Sequence, residues 1–171
     1  MEHKWKPEDS ADALISSVPY MENDIKQRNT KVKNGLESTA KILLSDTNED
    51  ERVEAIRKLG ELEVENSNHL ESEVKLLTSV YSRELSPKVR IAIIEELYVS
   101  SFKNTTSELA LDTIVNAAKF DYSDSVKQYA ISMLREFKEE GLIADSLKDS
   151  NKPLTKKRIR QLVKEMKEMG I

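Results

Sequence analysis

A nine-residue pattern occurs three times along the chain at an almost constant spacing. The copies are residues 51–59, 89–97 and 126–134, which align without gaps and start 38 and 37 residues apart. In every copy the second column is basic, the sixth is Ile and the ninth is Leu. Because columns five, six and nine fall on one side of a helix, the pattern predicts three amphipathic helices at one period.

A second amphipathic stretch precedes each copy, at residues 36–44, 70–85 and 109–120. Residue types that favour the start of a helix stand ahead of five of these six predicted helices. They lie at Thr47 to Asp50, Asn68 to Glu71, Ser86-Pro87, Thr105 to Glu108 and Ser123-Asp124. The sequence therefore predicts three helical hairpins, at about residues 35–66, 67–104 and 105–140.

The composition agrees with an all-α fold. Among 171 residues only four are Gly and four are Pro, too few for the turns of a many-stranded barrel or sandwich. No glycine-rich phosphate loop occurs. The lack of Cys excludes a disulfide framework, a thiolate zinc site and a cysteine nucleophile, and it fits a cytoplasmic protein. No apolar run is long enough for a secretion signal or a membrane span, so we expect no membrane contact.

The two ends of the chain are expected to cap the three hairpins within a single domain. Residues 1–34 hold two candidate helices, and Asn34-Gly35 either breaks the second of these or kinks a longer helix. Residues 141–171 hold a loop and then a basic amphipathic helix at about 155–169. Both ends carry the apolar residues that a cap needs.

Helix pairs of this length, whose second helix follows a short polar turn and repeats the pattern above, resemble HEAT repeats over residues 35–138. The strongest match is Ser86-Pro-Lys-Val-Arg90, which is similar to that family's Asp-Pro-x-Val-Arg turn, whereas Glu51 stands where Val is expected. The resemblance implies a right-handed α-solenoid whose usual role is to bind other proteins. The alternative is three unrelated hairpins in a compact bundle.

The same resemblance implies a ladder of hydrogen bonds between repeats. Its donors would be the basic second column, Arg52, Arg90 and Lys127. Its acceptors would be acidic residues in the turns, for which Asp50 and Asp124 are candidates. We expect these residues to stack the repeats and not to bind a ligand.

The side of each second helix opposite the core columns is the candidate binding surface. The rotation of about 100° per residue places columns three and seven, and the position after column nine, on this side. We call it the second-helix ridge; Gly60 also lies on it, and its candidate partner-binding residues are Val53, Arg57, Ile91, Glu95, Tyr98, Gln128, Ser132 and Arg135. In a solenoid the ridge would line the concave face. An exposed Ile91 beside an exposed Tyr98 would suit a binding hot spot; alternatively, the middle repeat buries more of its second helix.

The last 22 residues are strongly basic, with seven cations and two anions, while the whole chain has a net charge of -4. Lys156, Lys157, Arg158 and Arg160 are candidates for binding phosphate groups or an acidic partner. No aromatic side chain lies near them to stack on a base, so nucleic acid is the less favoured partner. The alternative is that this helix docks on the acidic body of its own chain.

Catalysis has little support in the sequence. The two imidazoles, His3 and His69, are isolated, and adjacent carboxylates are typical of solvated helix faces. We therefore predict no enzyme activity, no cofactor and no metal. The favoured function is a non-catalytic scaffold or adaptor that binds another protein through the concave face. The alternatives are an inhibitor or immunity-type partner of another protein, and a phosphate-backbone binder that uses the basic helix.

Overall fold

The computed structural model describes residues 26–27, 29–31, 33–45, 48–61, 67–103, 107–139 and 155–171. Every regular element among these residues is a helix, which confirms the all-α prediction. Helix α1 includes the described residues 26–27, 29–31 and 33–44. The six helices that follow are α2 (Glu49–Gly60), α3 (Ser67–Tyr81), α4 (Pro87–Lys103), α5 (Glu108–Phe120), α6 (Asp124–Glu139) and α7 (Lys156–Glu168). The helix expected at residues 7–18, the first part of the helix expected at 20–33 and the loop expected at 142–153 lie outside the described residues.

Several helix starts match their predicted positions. Helices α4 and α6 begin at Pro87 and Asp124, as expected. Helix α2 is capped by Asn48, whose side chain accepts a hydrogen bond from the Glu51 N–H, and α5 is capped by Ser107. The caps predicted for these two helices, Thr47 and Thr105, lie one and two residues too early. Runs of Asn, Ser and Thr offer several acceptors, and spacing alone does not choose among them.

Helix α1 continues through Asn34 and Gly35 to Leu44. Residues 26–27 and 29–31, ahead of this dipeptide, are helical too, so of the two alternatives the structure shows the longer helix that reaches Leu44 and not the break. At the other end of the chain, α7 ends at Glu168, and Gly170 shortly after it has a φ of 76°, the left-handed conformation common after helix C-termini.

The helices pack in a regular order. Helix α4 lies against α2 on one side and α6 on the other, and α3 lies against α5. Within the hairpins, α3 packs on α4 and α5 packs on α6, while α4 also contacts α5. The second helices α2, α4 and α6 therefore form one row, and the first helices α3 and α5 form a neighbouring row.

The core between the rows is made by the predicted columns. Columns five and nine are buried in all three copies, and column one is buried at Val89 and Val126 but exposed at Glu51, where the sequence departs from the repeat. Ile56 and Ile94 of column six are buried as well, whereas Ile131 is partly exposed. The apolar periodicity thus identified the buried side of each second helix.

Helix α7 joins the row of first helices. Arg158 bonds to Asp112 of α5, and Lys119 of α5 lies 3.7 Å from Glu165, so the contacts advance by seven residues along both helices, which run parallel. The apolar side of α7 is buried in the same core as the hairpins, through Ile159, Leu162 and Met166. None of the helices in the described part of the chain has the length and apolar character that a membrane crossing requires.

Candidate functional site

The second-helix ridge is largely polar in the structure. Its charged and amide members, Arg57, Glu95, Gln128 and Arg135, are exposed. Val53 is only 6% exposed, so its predicted place on the ridge is wrong. Helix α2 buries Val53 together with the core columns, which means that its apolar side is wider than those columns alone.

The apolar pair of the ridge is half-buried. Ile91 and Tyr98 are partly covered and pack against the core cluster. This matches the alternative in which the middle repeat buries more of its second helix, because α4 has neighbours on both sides. Ser132 is also half-covered, and its hydroxyl donates to the Tyr129 carbonyl at 2.7 Å. The ridge therefore offers charge and hydrogen bonding more than apolar area.

Gly60 sits where α2 meets α4. A Cβ at this position would overlap the carboxylate of Glu96. The missing side chain therefore does not leave an open space on the ridge; the space is taken by Glu96. Gly60 allows a close approach of the two helices.

The basic column does form contacts between hairpins. Arg52 donates to both carboxylate oxygens of Glu84, from Nε at 2.9 Å and from Nη2 at 3.0 Å. Arg90 does the same to Asp121, at 3.0 and 2.9 Å. In both cases the acceptor lies in the turn of the next hairpin, so these bidentate pairs tie successive units together.

The acidic partners that the sequence suggested were wrong. Asp50 pairs with Lys88 of the following hairpin, and Asp124 lies 3.8 Å from Lys127 of its own helix. Each is in the first turn of its own helix, three residues or fewer from the predicted donor. The true acceptors lie 32 and 31 residues after Arg52 and Arg90, in turns that become neighbours only once the hairpins stack.

Arg90 is the centre of a buried polar cluster. Its side chain and that of Asp121 are 2% and 3% exposed. Arg90 Nη1 also donates to the carbonyls of Glu84 and Leu85, each at 3.0 Å, and to the Tyr122 hydroxyl, while the guanidinium lies 3.9 Å from the Tyr122 ring centroid. The cluster therefore fixes the turn between α3 and α4 against the turn between α5 and α6.

Asp121 stays ionised in this cluster. Burial alone would raise the pKa of its carboxyl, but hydrogen bonds from Tyr81, from the Ser123 N–H and from Arg90 outweigh burial and hold the pKa below the usual 3.8. The Tyr81 hydroxyl donates to Asp121 at 2.5 Å. Burial, followed by this bond to a carboxylate, raises the pKa of Tyr81. Every polar group of the cluster is thus used to hold the structure together.

Four large apolar side chains are exposed at the turns of the hairpins. Leu44 is 61% exposed at the end of α1, and Leu85 is 79% exposed between α3 and α4. Phe120 is 75% exposed at the end of α5, and Tyr122 is 69% exposed between α5 and α6. We call these four residues the hairpin-turn surface. Sequence reasoning missed it because its members lie outside the periodic columns. The available signal was an apolar residue at the end of each first helix or in the turn that follows it.

Two open hollows make this surface continuous. The first, of about 380 Å³, is lined by Leu44 and Leu85 together with the buried Leu43 and Val80. The second, of about 300 Å³, is lined by Leu85, Phe120 and Tyr122 together with the Arg90 cluster. Leu85 belongs to both hollows, and its carbonyl accepts a hydrogen bond from the Tyr122 hydroxyl at 2.8 Å. The four side chains therefore border one connected surface across three turns.

The candidate basic residues of α7 divide into two groups. Arg158 is 10% exposed and is engaged with Asp112, with Glu108 at 4.0 Å and with Glu165 at 3.3 Å, so it anchors α7 on its own chain. Lys156, Lys157 and Arg160 are exposed. The self-docking alternative is the one observed for Arg158, and three cations of the predicted set face solvent.

The described residues contain no group of three or more His, Cys, Asp or Glu side chains placed to hold a metal ion. Their buried side-chain nitrogen and oxygen atoms all have hydrogen-bond partners. No family model matches the chain, and no curated protein matches it.

Proposed function

We propose that this protein is a non-catalytic protein-binding module, built as a short right-handed HEAT-like solenoid. Three observations support the architecture. Helices α2, α4 and α6 begin 38 and 37 residues apart at Glu49, Pro87 and Asp124. They pack as one row beside the row of first helices. Arg52 and Arg90, at the same column of the repeat, each bond to a carboxylate in the turn of the next hairpin. The lack of cysteine supports the further proposal that the protein works in the cytoplasm.

The observation that carries the binding function is the hairpin-turn surface. Exposed apolar side chains scattered singly are common on proteins, but a contiguous set bordered by polar residues marks an interaction site. Here two aromatic rings and two leucines border adjoining hollows. Burying such side chains in a partner contributes roughly 1.5–3 kcal/mol each, which is enough to dominate an interface.

The second-helix ridge is the weaker docking surface. Because Val53 is buried, the exposed members of the ridge are charged or polar side chains. Exposed charges of this kind add little affinity and act mainly on association rate and specificity. A role of the ridge in binding stays a prediction, as does phosphate binding by Lys156, Lys157 and Arg160. An adaptor and an inhibitor would both act by first binding the partner, so the proposed surface serves either role.

The experiment is a comparison of matched variants of the full chain. Wild-type protein and a Leu85→Asp/Phe120→Asp variant are immobilised and exposed to a lysate of the cells that make the protein, and the retained proteins are quantified. Because each Asp places a charge where an apolar contact is proposed, at least one retained protein is expected to fall about tenfold or more.

Leu109→Asp is the control, because Leu109 is an exposed leucine (41%) near the start of α5, at the end opposite to Phe120. Recovery should be unchanged with this variant. Circular dichroism and thermal unfolding check that all variants fold. Equal recovery of every protein by wild type and by a folded double variant would reject the hairpin-turn surface.

A further inference from the structure

Arg83 lies in the middle of the hairpin-turn surface. It follows the end of α3, two residues before Leu85, and its exposed side chain lines both hollows. A chain segment spanning the two hollows would pass this cation and the neighbouring Glu84, which also lines both hollows.

The other charged side chains that line the hollows are already matched. Arg52 is paired with Glu84, and Arg90 is paired with Asp121. Arg83 forms no ion pair with any residue of the described part of the chain; its guanidinium donates to Ser79, to the carbonyl at 3.3 Å and to the hydroxyl at 2.8 Å. Among the described residues, the surface therefore carries one unmatched positive charge, which lies beside both hollows and their exposed leucine and aromatic side chains.

We infer that the partner binds this surface through a segment in which an Asp or Glu side chain lies between two apolar side chains. The inference rests on the proposed function and names the chemistry of the ligand. The carboxylate would accept charge-assisted hydrogen bonds from Arg83, and the flanking side chains would enter the hollow beside Leu44 and the hollow beside Phe120.

The geometry favours Arg83 for this role. Its bonds to Ser79 leave part of the guanidinium without a partner in the described part of the chain and restrict its rotamers, so that less side-chain entropy is lost on binding. The two hollows that Arg83 lines also carry exposed leucine and aromatic side chains, so a bound segment can combine the ionic contact with apolar contacts.

A selection from a library of random linear peptides, displayed on phage and panned against the immobilised full chain, tests the inference. Peptides that bind wild type are expected to share an Asp or Glu between two apolar residues. Their affinity should fall roughly tenfold or more with Arg83→Glu, and replacing the peptide carboxylate by its amide should weaken binding to wild type in the same way. The same library panned against Arg83→Glu should yield Lys or Arg at the central position.

The controls separate this inference from the proposed function. Lys138→Glu reverses an exposed charge near the end of α6, away from the turns, and should leave peptide affinity unchanged. Peptides that lose binding with Leu85→Asp but not with Arg83→Glu would reject the contact between a peptide carboxylate and Arg83, while supporting the hairpin-turn surface as the binding site. If no selected peptide depends on Leu85, both proposals fail.

A second copy of the chain is the competing occupant. Light scattering during size-exclusion chromatography should show the same mass for wild type and Leu85→Asp. A wild-type dimer that becomes a monomer with Leu85→Asp would assign the surface to self-association and overturn the inference.

Discussion

The second-helix ridge and the hairpin-turn surface differ in how their exposed residues arise. On the ridge, the exposed residues are Arg57, Glu95, Gln128 and Arg135, which lie opposite the core columns and are all polar, as helix rotation leads one to expect. At the turns, Leu85 and Phe120 are exposed although they are apolar. Folding alone does not explain these side chains, since burying them would have been favourable. The comparison supports the proposal that a partner binds at the turns and not along the helix faces.

The two surfaces also differ in what holds them in place. The ridge is part of regular helices, whose backbone hydrogen bonds fix it. The turn around Leu85 depends on side chains, because Arg90 donates to the Glu84 and Leu85 carbonyls and pairs with Asp121 of the next hairpin. A substitution in this cluster should therefore alter the hairpin-turn surface and leave the second-helix ridge unchanged.

Replacing Arg90 with Ala is expected to have the largest effect. The substitution leaves Asp121 as an unpaired buried charge, and we expect a loss of about 3–5 kcal/mol of unfolding free energy. Urea denaturation measures this loss. In a folded fraction, hydrogen exchange should rise more at residues 83–86 and 121–123 than along α2.

Lys127→Ala is the matched control, because Lys127 occupies the same column but its ion-pair partner in the described part of the chain is Asp124, whose side chain is 96% exposed. It should change stability by about 0.5 kcal/mol or less. If Arg90→Ala and Lys127→Ala had equal effects, the cluster would not be what holds the turn.

Acid should weaken the turn cluster through Asp121. Since its pKa is lower in the folded protein than the usual 3.8, its ionisation contributes stability that is present above that value and is lost as the pH falls through the folded pKa. Unfolding free energies measured from pH 6 down to about pH 2.5 should decline less for Asp121→Asn than for wild type. Parallel pH profiles for the two proteins would show that the carboxylate does not act in this way.

Removing charges from the ridge is expected to have the smallest effect. Arg57→Ala and Arg135→Ala should each change the unfolding free energy by about 0.5 kcal/mol or less, because both side chains are exposed. Partner recovery should stay within about twofold of wild type, in contrast to Leu85→Asp/Phe120→Asp. A tenfold loss of partner recovery with either arginine variant would show that the partner binds at the ridge.

Helix positions and buried faces could be predicted from the sequence because both depend on local periodicity. Columns five and nine of the repeat are buried in all three copies, and Pro87 and Asp124 begin helices as expected. The partners of Arg52 and Arg90 could not be predicted, since they lie in the turns of the next hairpin and their distances depend on stacking. The exposure of Leu85 was missed because a residue in a turn has no periodic position from which burial can be inferred.

Site-specific photo-crosslinking tests the central claim most directly. A benzophenone amino acid is placed at position 85 of the full chain or, as the ridge control, at position 57, and the protein is irradiated in the cells that make it. Because the hairpin-turn surface is proposed to contact the partner, position 85 should yield a cross-linked protein and position 57 should not. Cross-linking of the same partner from position 57 and none from position 85 would contradict the account.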